Sequence, residues 1–134
     1  MNLLPNRNFR ILGEGWGLVG NCGYEDYPRH FADCSVFLSC SKLEGGGPNA
    51  LIEAMHANLI PVVSDTGNAR EYIKHGYNGF IFPIDSKPEH IAELIERAYD
   101  MEPKLNFPFN DIWETVKDFT WPNYAKQFSE YLAP

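Results

Sequence analysis

Between Ser39 and Met55 the chain places two carboxylates, Glu44 and Glu53, on either side of Gly45-Gly46-Gly47-Pro48-Asn49-Ala50. Three adjacent glycines have no side chains to keep a ligand away from the backbone, and a helix starting at Asn49 would aim its free N–H groups and the positive end of its dipole at an anion. A phosphate is the natural occupant of such a turn. A carboxylate can accept hydrogens from two hydroxyls at once, which suits a sugar ring or a ribose diol. The chemistry read from these residues is recognition of a phosphorylated, hydroxyl-rich ligand. The spacing also allows a plainer reading, in which Glu44 caps or solvates the loop and Glu53 is a good helix former on an exposed face.

Elements on both sides must hold this loop. Ser35-Val36-Phe37-Leu38-Ser39 and Ile60-Pro61-Val62-Val63-Ser64 are nearly continuous apolar runs, the pattern of parallel strands covered on both faces. Proline near the start of the second run is compatible with a strand, because its first residue need not donate to the ladder. Asn49 to Ala57 reads as the helix between them, with Pro48 at its opening and Asn58 able to end it in the left-handed conformation. Upstream, Phe9 to Leu12 predicts a short strand ending at Gly13-Glu14-Gly15. Tyr27, His30, Phe31 and Cys34 fit one face of a short helix with Pro28 in its first turn.

Downstream, a helix is predicted from Asn68 to Lys74, closed by His75-Gly76, followed by a strand at Gly79-Phe80-Ile81-Phe82. Ser86 and Glu89 have capping-box spacing ahead of a helix whose face carries Ile91, Leu94, Ile95, Ala98 and Tyr99. Amphipathic stretches at Asp111 to Phe119 and Pro122 to Leu132 end the chain. Their aromatic residues, Trp113, Phe119, Trp121, Tyr124, Phe128 and Tyr131, are expected to pack rather than to form a sugar platform. The alternation predicts an α/β fold, a Rossmann-like open parallel sheet flanked by helices, with ligands outside the carboxyl ends of the strands. The loops after Leu12, Ser39 and Ser64 are then the ones that carry chemistry.

Composition narrows the function. With 134 residues, 44% of them hydrophobic, the chain is the size of one domain with one core. A formal net charge of −7 argues against a general attraction to nucleic acid or to an anionic membrane. No stretch approaches the ~20 apolar residues of a spanning helix. Cys22, Cys34 and Cys40 form no close pair, so free thiols and a cytoplasmic location are expected. None of the compact ligand pairs of structural zinc sites is present, and no metal is expected around His30, Cys34, Cys40 or His56.

The run from Ser39 to Asp85 resembles the carboxyl-terminal signature of retaining family 4 glycosyltransferases, the glycosyl transferases group 1. The resemblance rests on Glu44-Gly45, Leu51-Ile52-Glu53-Ala54-Met55, Ile60-Pro61-Val62-Val63, Thr66-Gly67-Asn68 with Glu71, Gly76, Gly79-Phe80-Ile81 and Pro83-Ile84-Asp85. Phe119 to Ala125 resembles the same family's terminal helix, so the likeness spans roughly residues 35 to 132. It implies the C-terminal half of a GT-B fold: residues 1–134 as one incomplete sugar-nucleotide-binding domain, with its C-terminal helices in 103–134.

The resemblance also implies residue roles. Glu44 would act catalytically and hold hydroxyls of the donor sugar, while Gly45, Gly46, Gly47, Pro48, Asn49 and Ala50 would hold the distal phosphate and sugar. Glu53 would take the ribose hydroxyls, and Glu71 would be structural. The donor would be a UDP- or GDP-sugar, transferred with retention and without a cofactor or required metal, as in polysaccharide biosynthesis.

Two departures from the family stand out. Glu44 and Glu53 enclose eight residues where the family has seven. The basic pair that neutralises the diphosphate lies in a family segment ahead of Phe9 to Leu12, and neither Arg10 nor Lys42 matches it. The implied partner is therefore an amino-terminal GT-B domain, in cis or in trans, and the isolated chain is expected to be inactive. The alternative is a non-catalytic nucleotide-sugar-binding or interaction module that assembles with a partner subunit. A flavodoxin-like signalling or nucleotide domain would need an acidic or flavin site at its strand ends, which isolated acids do not supply.

Overall fold

A computed structural model describes residues 3–11, 23–44, 49–101 and 111–132. Among them, three parallel strands form one sheet: β1 (Val36–Ser39), β2 (Ile60–Ser64) and β3 (Phe80–Phe82), in the order β1-β2-β3. Val36 pairs with Ile60 and Ser39 with Val63, while Val62 pairs with Phe80 and Ser64 with Phe82. The helices are α1 (Tyr27–Phe31), α2 (Asn49–His56), α3 (Ala69–Tyr72), α4 (Pro88–Met101), α5 (Asp111–Val116) and α6 (Trp121–Leu132). A Rossmann-like α/β arrangement is thus what the chain forms.

β2 is the centre, buried at all five residues. Helix α4 packs against all three strands, and α2 packs against β1, β2 and α5. Phe80 and Phe82 on β3, Leu51 and Met55 on α2, and Leu94 and Ile95 on α4 close around it. Each such buried side chain is worth about 1.5–3 kcal/mol relative to exposure.

Local chemistry explains where the elements stop. Asn58 has φ of 63° and ends α2: its N–H donates to the Met55 carbonyl and the Leu59 N–H to the Ala54 carbonyl, both at 3.0 Å. This is the paired bonding of a Schellman motif, and it turns the chain directly into β2. Helix α3 is shorter than the predicted Asn68–Lys74, because Ile73 turns extended and is buried in the core. Helix α4 opens with Pro88 in its first turn and the Lys87 carbonyl accepting from the His90 and Ile91 N–H groups, so Lys87 rather than Ser86 stands at the cap.

Three expectations need correction. Residues 9–11 of the predicted Phe9–Leu12 strand join no sheet, and Leu12 lies outside the described residues. Arg10 draws the segment towards α1 instead, donating from Nη1 to the His30 carbonyl at 2.7 Å and facing Asp33 at 3.6 Å. A cavity of about 440 Å³ consequently separates it from the outer side of β1. For the same reason β1 is not covered on both faces, and Leu38 is 38% exposed. Finally, α6 buries no residue: Trp121, Tyr124, Phe128 and Tyr131 all face outward, with Tyr124 stacked on Phe128. Their helical spacing gives them a common face, but no other described element lies over it.

The turn ahead of β3 is held by Asn78, which is fully buried. Its Oδ1 accepts from the Lys74 N–H at 2.8 Å, and its Nδ2 donates to the Tyr72 carbonyl at 2.9 Å and to Thr115 Oγ1 at 3.1 Å. Next to it, a Cβ on Gly79 would meet Pro61 Cγ at 2.5 Å and the Pro61 carbonyl oxygen at 2.8 Å. Overpacking against backbone in this way costs about 1–3 kcal/mol, and stranding the partners of Asn78 costs about 1–3 kcal/mol. Gly79→Ala and Asn78→Ala should therefore each lower the urea midpoint of the chain, with the slope of the transition unchanged.

Candidate functional site

The sheet is parallel, so β1 and β2 end on the same side, at Ser39 and Ser64. Just beyond those ends lies a notch of about 70 Å³. Its walls are Ser39 at the end of β1 and Glu44 from the loop beyond it, Asn49 and Ala50 from the start of α2, and Ser64 at the end of β2 with Thr66 from the turn beyond it. Leu51, Val63 and Ala69 form its apolar floor. Carboxylate, amide and hydroxyl groups thus converge on one small opening over an apolar base.

Glu44, Asn49 and Ala50 are brought together as neighbours of this opening. Gly45, Gly46, Gly47 and Pro48 lie outside the described residues. Glu53, a turn further along α2, is half-buried and is not part of the notch wall. Glu71 is exposed and accepts from Asn68 Nδ2 at 3.4 Å, while its N–H donates to the Asn68 carbonyl at 2.9 Å, a contact within the second glycine turn. Neither Arg10 nor Lys42 lines the notch. Among the described residues no group of three or more His, Cys, Asp or Glu side chains gathers as metal ligands.

Sequence reasoning named the loops after Ser39 and Ser64 but not the hydroxyls that border the notch. Ser39, Ser64 and Thr66 could have been found by one signal, their position at the carboxyl ends of adjacent parallel strands. The turn that carries Ser64 and Thr66 is braced at several points. The Asp65 N–H donates to the Phe82 carbonyl, and the Thr66 N–H to the Ser64 carbonyl, both at 2.8 Å. Arg70 grips Asp65 with two parallel hydrogen bonds, Nε to Oδ1 at 2.7 Å and Nη2 to Oδ2 at 2.5 Å. Gly67, with φ of 54°, supplies the left-handed step into α3.

The Arg70 hydrogen bond, and then its positive charge, hold the Asp65 carboxyl below its ordinary range, and Arg70 is raised in turn. In the cavity beside β1, by contrast, burial pushes the Cys40 thiol up, which disfavours a reactive thiolate there.

Similarity to known proteins identifies the family. The family model described as glycosyl transferases group 1 matches residues 8–108, most of the chain. The chain belongs to that family. A protein of Bacillus subtilis (strain 168) named "Putative glycosyltransferase YtcC" is 26% identical over 106 residues, covering 78% of this chain and 26% of its own length. The chain thus spans about a quarter of that curated relative. No solved structure matches the chain significantly.

The Asp65–Arg70 pair has a definite pH signature. A carboxyl whose folded pKa is depressed contributes stability that is fully present above its unfolded pKa and is lost as pH falls through the lower folded value. In Arg70→Gln that contribution should shrink. Wild type should therefore exceed the variant in urea midpoint near neutral pH, and the two should converge below the ordinary carboxylate range. Both groups are partly exposed, so the difference should be small and weaker in high salt.

Proposed function

We propose that this chain is the donor-binding module of a group 1 glycosyltransferase, one that takes a UDP- or GDP-activated hexose and transfers it with retention, as in family 4. The observation that supports it most is the convergence of Glu44, Asn49 and Ala50 with the Ser39, Ser64 and Thr66 hydroxyls at the carboxyl ends of β1 and β2. In an open α/β sheet that is where ligands bind. On this reading Glu44 accepts hydrogens from sugar hydroxyls, and Gly45 to Ala50 bring backbone N–H groups to the distal phosphate. Glu53, one turn further along α2, takes the ribose diol outside the notch itself.

In the transfer, the bond from the anomeric carbon to the diphosphate oxygen breaks and a bond to an acceptor hydroxyl oxygen forms. The nucleoside diphosphate leaves with the bonding electrons, and the acceptor's proton passes to the departing diphosphate oxygen or to solvent. Stabilising that departing charge is the main catalytic demand, and it needs preorganised donors. No metal or cofactor is assigned to it, and the donor sugar nucleotide is a substrate.

The notch of about 70 Å³ is much smaller than the roughly 300–1,000 Å³ of a complete ligand site. On this reading the rest of the site is completed by an acceptor-binding amino-terminal GT-B domain, supplied in cis or in trans. The alternative, a non-catalytic nucleotide-sugar-binding module that assembles with a partner subunit, draws support from the aromatic face of α6. Among the described residues no helix is long and apolar enough to cross a membrane. A cytoplasmic setting, where sugar nucleotides and free thiols such as Cys34 and Cys40 coexist, is part of the reading.

Calorimetry of the chain with UDP-, GDP- and ADP-sugars is the direct test. Weak binding of a UDP- or GDP-sugar is expected. Glu44→Ala and Glu53→Ala should each weaken it about tenfold or more, since a hydrogen bond to a charged group is worth about 1.5–3 kcal/mol. Absence of binding at millimolar ligand would overturn the donor site.

A second experiment concerns turnover. Removing even one preorganised donor to a developing negative charge typically slows a reaction about 10²–10³-fold, and an acceptor left unheld forfeits the gain from positioning. Radiolabelled UDP- and GDP-sugars incubated with a panel of acceptors should give no product with the chain alone. Product that appears on adding an amino-terminal partner would identify a split enzyme, whereas turnover by the chain alone would refute this assignment.

A further inference from the structure

We infer that Ser64 is a positioning residue for the donor site: its hydroxyl ties the loop that carries Glu44 to the end of the central strand. The inference rests on the proposed function, because it assigns a role within that same site. Ser64 is buried to 2% exposure, and its Oγ donates to the Ser41 carbonyl at 2.5 Å. Ser41 is the second residue after β1 and Glu44 the fifth, so the bond falls between the strand end and the acid.

Little else holds that stretch. Lys42 is exposed and Leu43 is 86% exposed, so neither packs against the fold. Among the described residues, the Ser64 hydroxyl is the side-chain group that reaches the loop from another element by a hydrogen bond. Ser64 itself sits on a rigid base: it is paired with Phe82 in the sheet, and its carbonyl accepts from the Thr66 N–H in the braced turn. A short bond from a fixed, buried donor to a loop carbonyl transmits the sheet's rigidity to that loop. It also leaves Ser64 lining the notch beside Glu44 with its hydrogen already committed, free only to accept.

The consequence is selective. A ligand group held by Glu44, the sugar, should depend on the tether, whereas the bare nucleotide, which lacks that group, should not. Ser64→Ala removes the donor and leaves the Ser41 carbonyl without it. Ser64→Thr keeps the hydroxyl, and Ser64→Val has the shape of the threonine without it, so that pair separates the hydrogen bond from any effect of volume.

Three measurements on the 134-residue chain decide the matter: amide exchange at Lys42, Leu43 and Glu44, affinity for UDP-glucose against UDP and GDP-mannose against GDP, and the urea midpoint. In Ser64→Ala and Ser64→Val, amide exchange at those positions should accelerate. The advantage of the nucleotide sugar over its bare nucleotide should fall about three- to tenfold, the size of one ordinary hydrogen bond. Ser64→Thr should retain both properties.

Unchanged exchange in the alanine and valine variants would overturn the tether. Faster exchange with equal losses for nucleotide and nucleotide sugar would make the hydroxyl purely structural, and so would a fallen urea midpoint with the ratio intact. A wild-type chain that binds none of the four ligands would fail at the donor site itself, a result distinct from wild-type binding that Ser64→Ala leaves untouched.

Discussion

Burial of β2 on both faces is the constraint from which the rest of the molecule follows. A strand with every side chain buried needs a neighbour on each edge to bond its backbone and a layer on each face to cover its side chains. β1 and β3 supply the edges, and α2 and α4 pack against the strand from the helical layers. Because all three strands are parallel, each must be reached by a crossover, and the crossovers bring the β1–α2 loop and the β2–α3 turn to the same end of the sheet. The notch beside Glu44 is a product of that topology. Its apolar floor, Leu51, Val63 and Ala69, belongs largely to the same cluster that buries β2, so site and core share one support.

Stability is distributed unevenly around that strand. On the β3 side, Asn78 bonds to Lys74, Tyr72 and Thr115, and Gly79 lies directly against Pro61, so sheet and helices meet without slack. On the β1 side a cavity remains between the strand and residues 7–11, and charged pairs do the holding. Arg7 reaches Glu96 with two hydrogen bonds and lies over the Tyr99 ring at 3.8 Å, while Arg10 engages α1. Surface pairs of that kind hold a segment in place at little net gain in stability. The notch lies at the boundary between these regimes, with one wall on the firm turn after β2 and the other on the lightly held loop after β1.

The aromatic face of α6 follows a different logic. Trp121 and Tyr131 are 76% and 85% exposed, and Tyr124 and Phe128 stack on each other rather than on the core. A row of aromatic rings turned to solvent is unusual on a finished surface and marks a place where another apolar surface belongs.

Much of this was legible in the residues. The apolar runs at 35–39 and 60–64 and the Gly79–Phe82 segment gave the strands, because burial in a sheet leaves a compositional trace, complete in β2 and β3 and partial in β1. Asn58 marked the end of α2, because few residues other than glycine and asparagine enter the left-handed region cheaply. The motifs around Glu44 and Glu53 pointed to a group 1 glycosyltransferase, and family membership agrees.

What the sequence could not decide were questions of neighbours. Phe9–Ile11 has strand composition but pairs with nothing, since pairing depends on a partner edge and Arg10 finds its contacts on α1. Amphipathic spacing in α6 specifies an apolar face without specifying what covers it. Likewise, that Ser64 bonds to Ser41, 23 residues away in sequence, is settled only when the β1–α2–β2 crossover brings their strand ends together. Periodicity and turn chemistry are local and can be read along the chain, whereas a long-range hydrogen bond exists only in the folded arrangement of its two ends.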